Sequence, residues 1–442
     1  MNIYIQTLGC PKNINDSQVV AGILEEAGHQ IVGEAADADA LLLNTCGFIE
    51  DAKTESIAEM FRLSQMGKTL IVTGCLIQRY GEEMYKEVPE VDIFLGVNDY
   101  EKLPEILKNH QEGQREKYLS PYEKELETTT RKLGEIKHTA TIKIAEGCDN
   151  HCTYCIIPAI RGPYRSRPME AIVEEAQKLA NQGTKEIILI AQDTSAWGID
   201  LYGEYRLPAL LHQLGQVEGI EWIRILYCYE ERITDQLIQA MAEEPKVCHY
   251  IDIPLQHGSD KVLREMARQS TNASIYSIIK RLKTAMPDIH IRTTFITGFP
   301  GETEEDFAKL EEMVEDIAFE RLGVFAYSAE EDTPAAKRPD QIDQEIKEAR
   351  RDAIMRRQMD ISLAHNQEKI GKTMKVLLDQ QQEDGSWLGR TQYDAPEIDC
   401  AVIVTTAKNH QPGDMILVLV EDAYDYDLVG REKGDNENEL TE

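Results

Sequence analysis

Long apolar runs are missing from this 442-residue chain. None approaches the ~18 residues of a membrane span. The opening MNIYIQTLGCPKN also lacks the basic start and apolar stretch of a secretory signal, so a cytoplasmic protein with no membrane partner is expected. Without an export signal, nine cysteines argue against a disulfide framework, because a reducing compartment keeps thiols free for metals or catalysis. Basic residues are short too, 47 against 79 acidic ones, for a net charge of −32. That balance repels a phosphate backbone and attracts a basic partner, or simply keeps the chain soluble.

The most specific absence is local. The stretch EGCDNHCTYCIIPAIRG crowds Cys148, Cys152 and Cys155 together with neither a fourth Cys nor a zinc-type His pair nearby. Zinc sites usually close four ligands, whereas a cubane iron-sulfur cluster with three protein thiolates leaves one iron open. Zinc with a remote fourth ligand, or incidental core cysteines, are the competing readings.

The first ~100 residues repeat one pattern: an apolar run, a turn carrying a Cys, then an amphipathic helical stretch. NIYIQTLGC leads to Cys10, DALLLNTC to Cys46 and KTLIVTGC to Cys75. Continuous apolar runs alternating with helices predict a parallel sheet, whose carboxyl strand ends share one edge. The three thiols, 36 and 29 residues apart, are therefore expected to converge as a second three-thiol set.

The expected organisation is α/β and multidomain: an N-terminal parallel-sheet domain over 1–107, a polar linker over 108–137, and a central domain over 138–370. In that central part six strand-like runs alternate with helices, which predicts a partial parallel (β/α)6 barrel with its site at the carboxyl strand ends. Within it RPMEAIVEEAQKLANQG reads as one helix, and Thr303 with Asp306 suits the start of another. A small antiparallel β-barrel is expected over 371–435, followed by an acidic tail over 436–442. From residue 370 onward six basic side chains face sixteen acidic ones, a poor composition for gripping RNA.

The Cys-x3-Cys-x2-Cys spacing, the strands ILIAQDTS, IPLQHGSD and RTTFITGFPGETEEDF, the three N-terminal thiols and the small terminal barrel together resemble the radical S-adenosylmethionine methylthiotransferase family along nearly the whole chain. The resemblance implies a radical S-adenosylmethionine domain whose 4Fe-4S cluster sits on Cys148, Cys152 and Cys155. It also implies a second 4Fe-4S cluster on Cys10, Cys46 and Cys75, and a TRAM-like last domain. By the same resemblance, Gln192, Asp193, Gln256, His257, Arg292 and Gly298 are the S-adenosylmethionine-facing set, and no protein acid or base is required. A flavodoxin- or ferredoxin-type reductant and a sulfur donor are the implied partners.

Two branches of the family compete, one modifying an adenosine of tRNA and the other an aspartate of ribosomal protein S twelve of the small subunit. TLGCPKNINDS, IIPAIRGPYRSRP and YDAPEIDCAV resemble the protein-modifying branch, with Pro11, Lys12 and Asn13 discriminating; the acidic charge points the same way and against tRNA. Arg161, Arg165 and Arg167 are read either as partners of a substrate carboxylate or cofactor, or as structural ion-pair partners. Cys228, Cys248 and Cys400 read as structural, Cys228 standing where the family commonly has Leu. Outside the family, an RNA-binding module with structural metal sites and an iron-sulfur electron carrier are the alternatives.

Overall fold

The computed structural model describes residues 1–111, 113–122, 131–134 and 137–434. The tail expected over 436–442 lies outside the described residues. None of the described helices is long and apolar enough to cross a membrane, and all nine cysteines are free.

The N-terminal sheet has six parallel strands: β1 (Asn2–Thr7), β2 (Gln30–Val32), β3 (Ala40–Thr45), β4 (Thr69–Gly74), β5 (Ile93–Leu95) and β6 (Glu116–Tyr118), in the order β2-β1-β3-β4-β5-β6. The middle strand β3 is buried throughout, as a doubly covered parallel strand must be. Helices α1 (Pro11–Glu26), α2 (Glu50–Ser64), α3 (Cys75–Glu87) and α4 (Leu103–Asn109) supply the covering layers. Strand β6 corrects the expected linker. Residues inside 108–137 close the sheet's edge, with Glu116 opposite Ile93 and Tyr118 opposite Leu95. Its sequence, EKY, gives no apolar signal because an edge strand buries little.

The central sheet is also parallel throughout. Strand β7 (Thr139–Lys143) is followed by a two-residue pair, β8 (Ala145–Glu146) with β9 (Arg165–Ser166). The remaining strands are β10 (Glu186–Ile190), β11 (Trp222–Ile225), β12 (Val247–Gln256), β13 (His290–Thr297) and β14 (Arg321–Ala326). The order β14-β13-β12-β11-β10-β7 makes the expected open barrel of six strands. Alternation decides the two faces: Ile187, Leu189, Ile223, Ile225, Ile251 and Ile253 pack outward into the main helical core. The predicted helix Met169–Asn181 is present, and the helix Glu304–Ile317 starts in a capping box between Thr303 and Asp306.

The inner face of the barrel is closed at its amino end by the last domain. That domain is a closed barrel of β15 (Thr373–Gln381), β16 (Trp387–Thr391), β17 (Val402–Thr405), β18 (Met415–Ala423) and β19 (Leu428–Glu432). It is antiparallel except that β17 and β19 pair in parallel. Leu377 and Ala395 join Ile188, Ile190, Trp222, Leu226, Cys248 and Tyr250 in one apolar cluster. Around this plug Arg321 binds Asp394 at 2.5 Å, Arg390 binds Glu186 at 2.8 Å, and Tyr250 donates to Asp399 at 2.6 Å. Asp394 and Asp399 lie in the stretch YDAPEIDCAV, and these two acids are consumed inside the molecule rather than offered to a partner.

The charged helix Gln344–Gln367 buries Lys347, Arg350, Ile354, Gln358, Ser362 and Asn366, a largely polar stripe. The stripe has partners to satisfy. Gln358 donates to the Phe319 carbonyl at 2.8 Å, Lys347 to the Tyr327 carbonyl at 3.2 Å, and Asn366 to the Tyr424 carbonyl at 3.1 Å.

Candidate functional site

Cys10, Cys46 and Cys75 follow β1, β3 and β4, three neighbouring strands, with the reversal of strand order lying between β1 and β3. A doubly wound sheet opens its ligand crevice at such a reversal. Close approach there depends on two glycines. Gly74 has φ 98°, and a side chain on it would put Cβ 2.3 Å from the Thr45 carbonyl; a Cβ on Gly9 would lie 2.9 Å from that of Cys46. Asn13 locks the loops together, its amide donating to the carbonyls of Leu8 at 2.9 Å and Thr45 at 3.0 Å. The Asn13 carbonyl in turn accepts from Asn44 at 2.9 Å.

The second set occupies the loop between β8 and helix α5 (Ile157–Arg161). Its shape is held from both sides: the Cys148 N–H donates to the Gly162 carbonyl at 3.1 Å, and the Thr153 N–H to the Met266 carbonyl at 3.0 Å. Asn150 donates to the Cys148 sulfur at 3.3 Å and the Ile157 N–H to the Cys155 sulfur at 3.4 Å. Donors aimed at sulfur favour the thiolate.

The N-terminal thiol set abuts the segment that follows the Cys148–Cys155 loop, across the domain boundary. Cys75 packs with Ile156, which directly follows Cys155, and with Ile160 one turn further on. Beside them Arg161, 1% exposed, donates to the Cys75 sulfur at 3.1 Å, to Asn13 at 2.9 Å, to Asp16 at 2.7 Å and to Glu146 at 3.4 Å. Lys143 completes the group, 2.6 Å from both Asp16 and Glu146. Two cations and two carboxylates thus neutralise each other in a buried spot where an unpaired charge would be costly. The open question over three arginines is settled for two of them: Arg161 serves this network, and Arg167 pairs with Glu175 at 2.6 Å.

Burial pushes the Cys46 thiol up to about 11, and burial, with a smaller push from proximity to Cys152, raises the Cys155 thiol to about 12; Cys75 and Cys148 are also raised by burial. Metal-free, these four thiols hold their protons at neutral pH, and only a metal's charge reverses that. Among the described residues no three His, Cys, Asp or Glu side chains converge as ligands of a single ion would. A cubane asks for one thiolate per iron, spread around a cluster, and two sets of three cysteines fit that need.

Of the residues expected to face S-adenosylmethionine, two stand against the thiol loop. Gln192, after β10, donates to Glu146 at 2.6 Å and leaves its side-chain oxygen buried without a partner among the described residues. Asp193 accepts from Ser195 at 2.7 Å, Asn150 at 3.0 Å and Arg232, which ties it to the loop through Asn150; burial raises its carboxyl, with Arg232 opposing. Gln256 ends β12 in a left-handed conformation, φ 73°. Arg292 is held on the inner face by Asp252 at 3.0 Å and Asp399 at 3.4 Å. His257 and Gly298 are not brought to the loop. His257 has no exposed surface, takes the Ser259 N–H at 2.9 Å, and lies 3.3 Å from Glu302 without an aligned hydrogen bond. Gly298 donates to the same Glu302 at 2.8 Å, and a Cβ there would strike Lys347. Both belong to the layer that supports the strand ends.

Sequence reasoning passed over Asp16, Lys143, Glu146, Asn150, Tyr229, Arg232 and Arg268. Lys143 and Glu146 were the legible ones, two charges inside the apolar run TIKIAEGC. A cavity of about 170 Å³ opens beside Cys152, lined by Asn150, Tyr229, Arg232 and Arg268 among others. Arg268 stacks 4.1 Å from the Tyr229 ring centre, with two of its nitrogens buried and unpartnered among the described residues.

An open parallel barrel carrying three thiols in the loop after its first strand is the core of a radical S-adenosylmethionine protein. The Radical SAM superfamily model matches residues 142–314, the TRAM domain model residues 370–432, and the model described as Uncharacterized protein family UPF0004 residues 2–96. In fold, the chain is similar to the radical S-adenosylmethionine methyltransferase TsrM from Kitasatospora setae, with TM-score 0.53, 12% identity and 74% of each chain covered. In sequence, it is 48% identical to the ribosomal protein uS12 methylthiotransferase RimO of Desulforamulus reducens over 97% of this chain and 99% of that protein. To the protein of the same name from Clostridioides difficile it is 46% identical, over 97% and 98%. The chain belongs to the RimO family of methylthiotransferases.

Proposed function

We propose that this protein transfers a methylthio group to the β-carbon of an aspartate of ribosomal protein uS12, the S twelve protein of the small subunit. The observation that carries the reading is that Cys75 packs against Ile156 and Ile160, just beyond the Cys148–Cys155 loop, with Arg161 reaching the Cys75 sulfur. A single-cluster electron carrier has no use for that arrangement.

In this reading Cys148, Cys152 and Cys155 hold one 4Fe-4S cluster and Cys10, Cys46 and Cys75 the other. When bound, the clusters and S-adenosylmethionine supply one-electron cleavage of the cofactor and the methylthio sulfur. The rest is the chain's own work. Gln192 offers its unpartnered oxygen to the ammonium of S-adenosylmethionine, while Asn150 and Arg232, through Asp193, keep the thiol loop in register. Gln256 and Arg292 stand on the neighbouring strands, with His257 and Gly298 behind them. Ile156 and Ile160 exclude water from the side facing Cys75.

Charge supports a basic protein as substrate. With Asp394 and Asp399 withdrawn into the plug, the last domain still exposes Glu383, Asp384, Glu421 and Asp422, beside Tyr424 and Tyr426, 57% and 43% exposed. A flavodoxin- or ferredoxin-type reductant and a separate sulfur donor complete the reaction, which belongs in the cytoplasm, where uS12 is made and free thiols persist. The test is an anaerobic assay of the reconstituted protein with reductant and S-adenosylmethionine against uS12 and tRNA side by side, read by mass spectrometry. A methylthio group on uS12 is expected; product on tRNA alone overturns the substrate.

A further inference from the structure

Among the described residues, the cations around the two thiol sets have partners, with one exception. Arg165 donates to the Arg161 carbonyl at 3.3 Å. Arg161 answers Asp16 and Glu146, Arg167 answers Glu175, Arg232 answers Asp193, Arg268 answers Glu230, and Arg292 answers Asp252 and Asp399. Lys12 has no ion pair and no side-chain hydrogen bond among the described residues, although acids outnumber bases in this chain by 32. It is half-buried in the first turn of α1, two residues from Cys10. Its ammonium instead rests 3.4 Å above the centre of the Tyr227 ring.

The seat is built with care. Tyr227 follows β11 in a left-handed conformation, φ 62°, which an aromatic residue adopts only when its surroundings impose it. Its N–H donates to Asp252 at 3.2 Å and its carbonyl accepts from the Thr194 N–H at 2.9 Å. The strained residue therefore presents its ring from the central barrel to a lysine of the N-terminal domain, two residues from Cys10. A ring face attracts an ammonium without pairing its charge, so the N–H donors of Lys12 that point away from the ring stay available to an anion.

We propose that Lys12, seated on Tyr227, binds the carboxylate of the acidic side chain to be modified, and so selects an aspartyl residue over a neutral one. The proposal rests on the reading that the substrate is an aspartate of uS12. A carboxylate entering so acidic a molecule needs a cation, and among the described residues beside the thiol sets Lys12 is the cation that answers no other anion. An adenine base would make no such demand.

The test measures equilibrium binding of labelled uS12 to the anaerobically reconstituted protein, using uS12 with its target aspartate and uS12 with asparagine there. Iron and sulfide are counted on the same samples. The wild type should prefer the aspartate form by roughly tenfold or more, the weight of a hydrogen bond to a charged group. In Lys12→Met that preference should fall to about one with iron and sulfide retained, and Lys12→Arg should restore part of it. An equal preference in wild type and Lys12→Met overturns the proposal. Loss of iron together with binding in Lys12→Met also overturns it, because the lysine would then only support the Cys10 loop. A wild type that modifies tRNA and binds neither form of uS12 overturns the substrate reading, and the lysine's role with it; the variants do not produce that pattern.

Discussion

Replacing Arg161 by alanine tests whether the interdomain charge group is what holds the two thiol sets together. The wild-type group balances Arg161 and Lys143 against Asp16 and Glu146 in a buried setting. Without the guanidinium, one ammonium faces two carboxylates, Cys75 loses its 3.1 Å donor and Asn13 loses its 2.9 Å donor. Breaking a buried pair on one side costs about 3–5 kcal/mol. Because Asp16 belongs to the N-terminal domain and the other three to the central one, the loss should appear as undocking rather than as unfolding of either sheet. Differential scanning calorimetry of Arg161→Ala should show a lowered and split transition, and limited proteolysis should cut between the two domains. Iron analysis should show about half the wild-type content, the deficit lying in the cluster that includes Cys75. The sharper test is the pair Arg161→Met with Glu146→Gln, which restores charge balance by removing one of each sign. The double variant should be more stable than Arg161→Met alone. A double variant that sums the two losses, or Arg161→Ala with unchanged melting and full iron, would refute the reasoning.

Gly74→Ala should cost several kcal/mol and strip iron from the N-terminal set, because the new Cβ meets the Thr45 carbonyl at 2.3 Å in a left-handed backbone; iron content and the melting temperature read it. Cys152→Ala should retain about half of the iron and abolish deoxyadenosine formation, and unchanged iron and sulfide would sink the ligand assignment. Lys369→Met should stabilise the protein. Burial and the nearby Arg321 hold the Lys369 ammonium down to about 8 from its usual 10.5, so the native state pays for the buried charge below pH 8 and sheds the penalty as pH rises towards 10.5. The variant's advantage, at most about 3 kcal/mol near pH 7, should shrink over that window, and urea midpoints at several pH values measure it.

The alternation of apolar runs with helices made both parallel sheets legible, because strands covered on two faces cannot hide their composition. The placement of Cys10, Cys46 and Cys75 at the carboxyl ends of three neighbouring strands followed from the same pattern, since parallel strands share one carboxyl edge. Strand β6 was not legible; Glu116–Tyr118 sits on an edge and reads as solvent-exposed linker. Nor was the burial of Asp394 and Asp399. Hydropathy counts an acid as solvated, and their partners Arg321 and Arg292 lie 73 and 107 residues away. The buried stripe of the helix Gln344–Gln367 carries little hydropathy signal for a related reason, its residues being donors to carbonyls more than apolar surface.

What the sequence by itself determined is the inventory: two sets of three thiols, two parallel sheets and a small terminal barrel, because ligand spacing and hydrophobic period are local properties of a chain. What only the tertiary structure decided is who faces whom. Arg161 spans from Glu146 to Cys75, and Lys12 comes to rest on Tyr227, because charge and shape complementarity between domains act between residues with no relation in sequence.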